Sequence, residues 1–258
     1  MRKRRRLTWR IANAAGADQF VRAVGSADEL TSALSQIKAP AILKTRRFGY
    51  DGKGQITIRP DVDAPAIWEQ FGRQPAILED FVDFSAEASV IIARAVDGAI
   101  AVYDVVLNVH KNHILDRSTV PSGLPAPIEA KAIALARRIA QALDYVGVMG
   151  VELFIDRSGE VLVNELAPRV HNSGHWTIEA CTVSQFEQHI RAVAGWPLGS
   201  AERHHDAVMT NLIGNDVDDW AALAADPSAC LHLYGKSRVM PGRKMGHFTR
   251  LQPRRPPA

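Results

Sequence analysis

Two absences narrow the class of this protein before any motif is considered. Cysteine occurs only twice among 258 residues, and Cys181 and Cys230 lie too far apart in the chain for a metal-binding spacing. They predict reduced thiols in a cytoplasmic protein and not a disulfide framework. No apolar run approaches the length that a membrane-spanning helix requires, so the sequence predicts no membrane segment.

The sequence also has little excess charge of either sign. Its 31 lysines and arginines nearly balance 28 aspartates and glutamates, which leaves a formal net charge of +3 and excludes a general surface for polyanions. Residues 2–6 are basic, but no aromatic residue interleaves with them. Neither an apolar region nor a cleavage site follows them, so we interpret them as a solvated end and not as a secretory signal. We expect no nucleic-acid partner and no membrane partner.

The rest of the composition is that of an ordinary globular protein, with 47% hydrophobic and 23% charged residues. Ser26 and Glu29 form a capping-box pattern ahead of a helix. We predict strands over 41–45, 76–79, 88–95, 99–109 and 113–118, helices over 126–144 and 177–194, and a hairpin over 240–251. Antiparallel strands with helices on one side predict an α+β fold.

A predicted β-hairpin over residues 150–165 carries two glutamates. Both arms are apolar and rich in β-branched residues, and a Ser-Gly turn signal separates them. If that dipeptide forms a two-residue loop, Phe154 pairs with Val163. Glu152 then falls directly opposite Glu165.

Two like charges that face each other across a sheet repel. A divalent cation between the carboxylates would remove the repulsion. Magnesium suits such a site, because it takes hard oxygen ligands and completes its shell with phosphates and water. The alternative is that one glutamate is protonated or points to solvent. The first interpretation predicts a metal–nucleotide enzyme.

A lysine-bearing strand and a glycine-rich loop support that interpretation. Lys44 lies in the predicted strand 41–45, and three glycines follow within six residues. Glycines let a backbone approach a ligand closely and turn its amide hydrogens toward an anion. The spacing matches neither a Walker loop nor a Rossmann fingerprint. Taken alone the loop is equally typical of a hairpin turn, but with the carboxylate pair it predicts a phosphate lid.

The order of these motifs is similar to that in ATP-grasp enzymes. Within that superfamily the chain resembles the 5-(carboxyamino)imidazole ribonucleotide synthase family, from about Val24 to its end. The segments that carry the resemblance are LKTRRFGYDGKGQ (43–55), EDFVDFSAEASV (79–90), NVHKNHIL (108–115), NELAPRVHNSGHWT (164–177) and HLYGKSRVMPGRKMGH (232–247). The fourth segment is the most specific.

The resemblance implies a division of the chain into three parts. An atypical basic segment over 1–23 precedes the two α+β lobes of an ATP-grasp fold over 24–196, and a small β-rich domain occupies 197–258. The family has a further N-terminal α/β domain, which we do not expect ahead of residue 24. An arginine of the family that contacts ATP is not assignable among residues 2–6. The family is commonly dimeric, so a homodimer is an expected assembly.

The resemblance also implies a reaction, with ATP, Mg²⁺ and bicarbonate. Bicarbonate attacks the γ-phosphorus of ATP to give carboxyphosphate, and 5-aminoimidazole ribonucleotide captures the carboxyl group as a step of purine biosynthesis. The products are 5-(carboxyamino)imidazole ribonucleotide, ADP and phosphate. Two alternatives stay open: another ATP-grasp carboxylase or ligase, or a truncated nucleotide-binding remnant without turnover.

Site residues follow from the same resemblance. ATP would be bound by Lys44, Gly49, Tyr50, Asp51, Gly52, Lys53, Gly54, Gln55, Glu79, Asp80, Phe81, Val82, Glu87, His110, Asn164 and Glu165. Glu152 and Glu165 would hold the metal. Arg169, His171 and Asn172 would serve bicarbonate and the ribonucleotide, whose phosphate would be bound by Lys236, Arg243 and Lys244. For Lys236 a basic solvated turn is a competing interpretation, and for His110 a structural role.

Overall fold

The structure is a computed structural model that describes residues 21–37, 39–46 and 54–255. The chain divides after Asp83 into two units, each of which contains one antiparallel sheet with helices. The predicted α+β class is therefore confirmed. Within the described ranges, no helix is both long enough and apolar enough to cross a membrane.

The first unit contains a four-stranded sheet in the order β1-β4-β2-β3. Its elements are β1 (Val21–Val24), α1 (Ala27–Gln36), β2 (Ala41–Thr45), β3 (Gln55–Ile58), α2 (Ala64–Gln70) and β4 (Ala76–Asp80). The predicted cap is present, because the Ser26 hydroxyl accepts a hydrogen bond from the Glu29 amide at 3.1 Å. Leu30, Leu43 and Leu78 are fully buried between helices and sheet, and each such side chain contributes about 1.5–3 kcal/mol to folding.

The second unit contains a nine-stranded sheet in the order β10-β9-β5-β7-β8-β11-β13-β12, with β6 paired to β5. Its strands are β5 (Phe84–Arg94), β6 (Ile100–Val102), β7 (Val106–Lys111), β8 (Ile114–Val120), β9 (Gly147–Asp156), β10 (Val161–Ala167), β11 (His205–Ile213), β12 (Ala229–Leu233) and β13 (Lys244–Pro253). The strands beyond residue 197 thus continue the sheet that carries the glutamate hairpin.

Helices of the second unit are α3 (Ala126–Ala142), α4 (Thr177–Ala180), α5 (Gln185–Ala194) and α6 (Trp220–Ala225), with 3₁₀ turns at Asn172–Gly174 and Gly214–Asp219. The prediction of one helix over 177–194 was wrong. Cys181 leaves the helix to form a β-bridge with Arg203. Ser184 then caps a new helix, because its hydroxyl accepts from the Glu187 amide at 3.3 Å.

Two predicted β-segments also need correction. The strand over 99–109 is divided at residues 103–105, where the buried Tyr103 hydroxyl donates to the Val183 carbonyl at 2.8 Å. The hairpin over 240–251 is instead the single strand β13, which pairs with both β11 and β12. Both differences arise from contacts between segments that are distant in sequence.

A stack of three histidine rings lies where β12 and β13 meet the loop before α4. The ring of His247 lies 4.7 Å from that of His175 and 4.6 Å from that of His232. His247 is 2% exposed, and its Nδ1 lies 2.8 Å from the Tyr234 hydroxyl. The rings therefore form a polar layer that runs from the buried His247 to the partly exposed His232.

Burial keeps two of these rings neutral. It lowers the pKa of His247 to about 3 and that of His175 to about 4, with repulsion from neighbouring cationic groups as the lesser cause. For His175 these neighbours are His171, His232, Lys244 and Arg169. A proton on either ring would be desolvated and close to other positive charge.

We predict that the free energy of unfolding falls steeply as the pH drops from about 6.5 toward 4. In that window the unfolded histidines bind protons and the folded ones do not, so each contributes up to about 1.4 kcal/mol per pH unit. Denaturant titrations across the window measure the slope. His247→Gln keeps an acceptor for Tyr234 and should reduce the dependence of the unfolding free energy on pH. His204→Gln, at an exposed position, is the control and should leave that dependence unchanged. Equal slopes for wild type and His247→Gln would contradict the prediction.

Candidate functional site

The glutamate hairpin has the pairing that the sequence predicted. In β9 and β10, Glu152 lies directly opposite Glu165. The register that leads to this pair was nevertheless wrong. Phe154 pairs with Leu162 and not with Val163.

Two shifts of one residue cancel along the hairpin. The Asp156 amide donates to the Glu160 carbonyl at 3.0 Å, so the loop holds three residues and not two. The Asp156 carboxylate accepts from both the amide and the hydroxyl of Ser158, and Gly159 supplies the positive φ of +86° that the loop requires. A bulge at Asn164 then adds one residue to β10 and restores the predicted pair.

The bulge gathers oxygen-bearing side chains at one point of the sheet. Because two residues of a bulged strand oppose one residue of its partner, Asn164 and Glu165 together face Glu152. Two carboxylates and one amide provide the hard oxygen ligands that magnesium prefers. Within the described part of the chain, no three carboxylate, imidazole or thiol side chains are arranged as a complete metal site.

His171 joins this carboxylate pair. Its Nε2 lies 2.8 Å from the Glu152 Oε1, and the two side chains are 11% and 20% exposed. Gly150 on β9 allows this approach, because a Cβ there would lie 2.7 Å from the Cβ of His171. The site thus requires a glycine two residues before Glu152.

A buried chain of hydrogen bonds supports the other side of the His171 ring. The His171 Nδ1 lies 2.9 Å from the Ser173 hydroxyl, which accepts from Ser89 at 2.7 Å. Ser89 accepts from the Asn108 amide at 3.0 Å, and Ser118 donates to the Asn108 carbonyl oxygen at 2.8 Å. The asparagine and the two serines on the strands, and Ser173, are all buried, so this chain fixes the His171 ring from the interior of the sheet.

Asn172 is held by a second amide. The Asn172 Nδ2 donates to the Asn211 Oδ1 at 2.9 Å, and the Asn211 Nδ2 donates back at 2.6 Å. Asn211 also donates to the Leu115 carbonyl at 2.8 Å. The two amides therefore orient each other.

The cationic residues predicted for bicarbonate and the ribonucleotide lie in this loop and in the segment over 236–244. Arg169 is exposed and donates to the Val170 carbonyl at 2.8 Å. Positive charge on Lys244 and Arg169 helps to lower the pKa of His175, after burial and two neighbouring histidines. The Lys236 ammonium donates a hydrogen bond to the Lys244 carbonyl, and its nitrogen lies 5.4 Å from the centroid of the Tyr234 ring. The Arg243 guanidinium donates to the Arg238 carbonyl at 3.0 Å.

Glu87 and His110 form a pair elsewhere on the second unit. The His110 Nδ1 lies 2.9 Å from the Glu87 Oε2, and each side chain is 21% exposed. The pairing follows from the register of β5 and β7, in which Glu87 lies opposite Asn108. The two predicted nucleotide contacts are therefore neighbours.

Lys44 and Glu79 form a largely buried ion pair within the first unit. The Lys44 Nζ lies 2.5 Å from the Glu79 Oε2, a contact that the sequence did not predict. Gln55 lies opposite Lys44, and Gly54, with a φ of +73°, accepts from the Thr45 amide at 2.8 Å.

Other predicted ATP residues of this unit fall at its edges. Asp80 ends β4, and burial raises its pKa. Phe81 and Val82 follow it, and Phe81 is exposed. The predicted lid residues Gly49, Tyr50, Asp51, Gly52 and Lys53 lie outside the described residues.

Several residues that shape the site were missed at the sequence level. Ser89 and Asn108 each stand between two apolar residues of a strand, and Asn211 directly precedes two more, a signal that could have identified them as buried hydrogen-bonding groups. Gln185 contacts the backbone of His171 at 2.9 and 2.7 Å. A glutamine in a helical segment gives no comparable signal.

Known families match most of the chain. Residues 15–186 match the ATP-grasp domain, and residues 207–256 match the phosphoribosylaminoimidazole carboxylase C-terminal domain. A relative from Brucella melitensis, an N5-carboxyaminoimidazole ribonucleotide synthase, is 49% identical over 235 residues. That similarity covers 90% of this chain and 65% of the relative's length.

Solved structures give the same result. The ADP complex of an N5-carboxyaminoimidazole ribonucleotide synthetase aligns with a TM-score of 0.91 at 39% identity, over 97% of this chain and 67% of that one. An Aspergillus clavatus N5-carboxyaminoimidazole synthase in complex with ADP and 5-aminoimidazole ribonucleotide aligns with a TM-score of 0.88 at 30% identity, over 97% and 68%. The fold is the ATP-grasp fold, with a β-rich C-terminal region. The chain therefore belongs to the ATP-grasp family and, within it, to the N5-carboxyaminoimidazole ribonucleotide synthases.

Proposed function

We propose that this protein carboxylates 5-aminoimidazole ribonucleotide with bicarbonate and ATP, in purine biosynthesis. The observation that carries the proposal is the contact of His171 with Glu152 opposite Glu165. This contact links two parts of the site. One is a carboxylate pair that suits a metal–nucleotide complex, and the other is the loop to which the family resemblance assigns the remaining substrates. The relative solved with both ADP and 5-aminoimidazole ribonucleotide supports this choice of substrates.

We assign ATP binding to the residues that the family resemblance implies. Lys44 would contact the phosphates, with Glu79 fixing its ammonium, and residues 49–55 would cover them. The backbone of residues 79–82 would read the adenine edge. Glu87 would accept from the ribose hydroxyls, with His110 holding its carboxylate in place.

Magnesium would be held by Glu152, Glu165 and the Asn164 amide oxygen. Their oxygen ligands fit this ion, with phosphate and water oxygens completing its shell. When bound, the ion neutralises phosphate charge during phosphoryl transfer.

The remaining groups suit the carboxylation step. Arg169 offers charge-assisted hydrogen bonds to the carboxyphosphate oxyanion, since it is exposed and permanently charged. His171 and Asn172 are held rigidly by the serine chain and by Asn211, so they can orient bicarbonate and the acceptor amine. Lys236, Arg243 and Lys244 would bind the ribonucleotide phosphate.

We also propose that the protein acts in the cytoplasm as a homodimer. The free thiols of Cys181 and Cys230 are consistent with a reducing compartment. The exposed apolar residues Phe186, Ile190, Val193 and Trp196 line one face of α5 and its end, and they offer an apolar surface for association.

We predict that Glu165→Gln weakens binding of magnesium-ATP at least tenfold, or by about 1.4 kcal/mol. The substitution removes the charge of one oxygen ligand and leaves the shape of the side chain. Calorimetric titration of the 258-residue chain measures the affinity. Glu160→Gln makes the same change at an exposed position beside the loop of the same hairpin and should leave the affinity unchanged. Unaltered affinity in Glu165→Gln would refute the metal assignment.

We predict that Asn172→Ala lowers bicarbonate-stimulated ATP hydrolysis about 100-fold, the usual cost of losing one oriented donor in an active site. Affinity for ATP should stay within about twofold, because the residue lies in the loop after the hairpin. A coupled ADP assay with bicarbonate and 5-aminoimidazole ribonucleotide measures the rate. Asn215→Ala, at an exposed position, is the control.

The same assay separates the alternatives. Wild-type hydrolysis should rise with bicarbonate and 5-aminoimidazole ribonucleotide together. Equal stimulation by glycinamide ribonucleotide or biotin would favour another ATP-grasp carboxylase. ATP binding without any stimulated hydrolysis would favour a nucleotide-binding remnant.

A further inference from the structure

Two buried glutamines on α5 each hold the backbone of a neighbouring segment. The Gln185 Oε1 accepts from the His171 amide at 2.9 Å, and its Nε2 donates to the His171 carbonyl at 2.7 Å. The Gln188 Oε1 accepts from the Gly199 amide at 2.9 Å, and its Nε2 donates to the Gly199 carbonyl at 2.8 Å. Both side chains belong to residues that are 0% exposed.

We propose that Gln185 is a positioning residue that fixes His171 for the carboxylation step. The inference rests on the role proposed above for His171. A primary amide presents an N–H donor and a C=O acceptor side by side, so it can satisfy both backbone groups of one residue and still keep a second N–H for another contact. His171 has an extended backbone, with φ −125° and ψ 149°. The Gln185 side chain bonds to both its N–H and its C=O, as a paired residue on a neighbouring strand would.

Gln185 is itself fixed by the turn between the loop and α5. Its backbone N–H donates to the Thr177 hydroxyl at 3.0 Å, and that hydroxyl donates to the Gly174 carbonyl at 2.7 Å. A Cβ on Gly174 would lie 2.7 Å from the Gln185 Oε1 and 2.8 Å from the Ile91 side chain. The amide therefore packs flat against the loop that it holds.

The effect on His171 is distinct from that of its ring contacts. Ser173 and Glu152 restrain the two ring nitrogens, whereas Gln185 restrains the main chain. The Gln185 Nε2 also lies 3.1 Å from the His175 Nδ1, so the same side-chain amide contacts one ring of the histidine stack. Loss of the amide frees the backbone of His171 and shifts its ring relative to Glu152, a displacement to which catalytic rates are highly sensitive.

Gln188 provides the matched control. Gln185→Met and Gln188→Met each delete one buried amide from the same helix and two hydrogen bonds to a neighbouring backbone. Both should lose similar stability, since each leaves a buried N–H and C=O unsatisfied. Gln185 alone reaches the loop of His171.

The test measures amide hydrogen exchange and ATP hydrolysis on the same 258-residue variants. In Gln185→Met the His171 amide should exchange at least tenfold faster, kcat for bicarbonate-stimulated hydrolysis should fall at least tenfold, and KM for ATP should stay within about twofold. In Gln188→Met the faster exchange should appear at Gly199, with His171 exchange and kcat near wild type. If Gln185→Met does not fold, Gln185→Glu keeps the acceptor for the His171 amide and loses the donor, so kcat should still fall while that amide stays protected.

Two outcomes would overturn the inference. One is wild-type exchange at His171 in Gln185→Met, and the other is an equal fall of kcat in both methionine variants, which would indicate a purely structural role. Failure of the proposed function is a different result. In that case wild type itself lacks bicarbonate-stimulated hydrolysis, while the exchange at His171 still reports whether Gln185 holds the loop.

Discussion

The arrangement of the site depends on one extra residue, Asn164, in strand β10. Without that bulge the three-residue loop would place Glu152 opposite Asn164, and the carboxylate pair would not form. Side chains on a strand alternate between the two faces of a sheet, so a slip of one residue moves each of them to the other face. The bulge therefore decides that the two glutamates lie opposite each other in the sheet. It also adds an amide oxygen beside them, and it locally disrupts the hydrogen bonding between the two strands.

The polar groups near this pair are held by buried hydrogen bonds from the sheet and the helix behind it. Ser89, Asn108 and Ser173 place a continuous chain of such bonds inside the second unit, and Gln185 adds the main-chain contact to His171. A chain of this kind contributes little net stability, because each bond replaces one to water. It does favour a single arrangement, since any displaced member would leave a buried group without a partner. The loop that follows the hairpin is thus rigid although it has little regular secondary structure.

Local patterns in the sequence were sufficient for much of this fold. The strand that carries Lys44 and the helix capped by Ser26 were predicted correctly, because periodicity and capping depend on neighbours in the chain. The helix over 177–194 was not, since its interruption depends on pairing between Cys181 and Arg203. The glutamate pair was predicted through a register that the loop and the bulge each altered by one residue. Motif resemblance supplied the roles of the site residues. The support from Gln185 depends on tertiary contacts that no local pattern encodes.

Near the loop, some side chains are permanently charged, whereas two buried histidines stay neutral. The hairpin supplies two carboxylates, while Arg169 and Lys244 supply positive charge near His175. Arginine keeps its charge throughout the physiological range, so an anion bound there would meet the same field at any such pH. The buried histidines stay neutral because burial and those same cations lower the pKa of His175 to about 4. His175 and His247 can therefore pack together as uncharged rings, and the positive charge near the loop stays on Arg169 and Lys244.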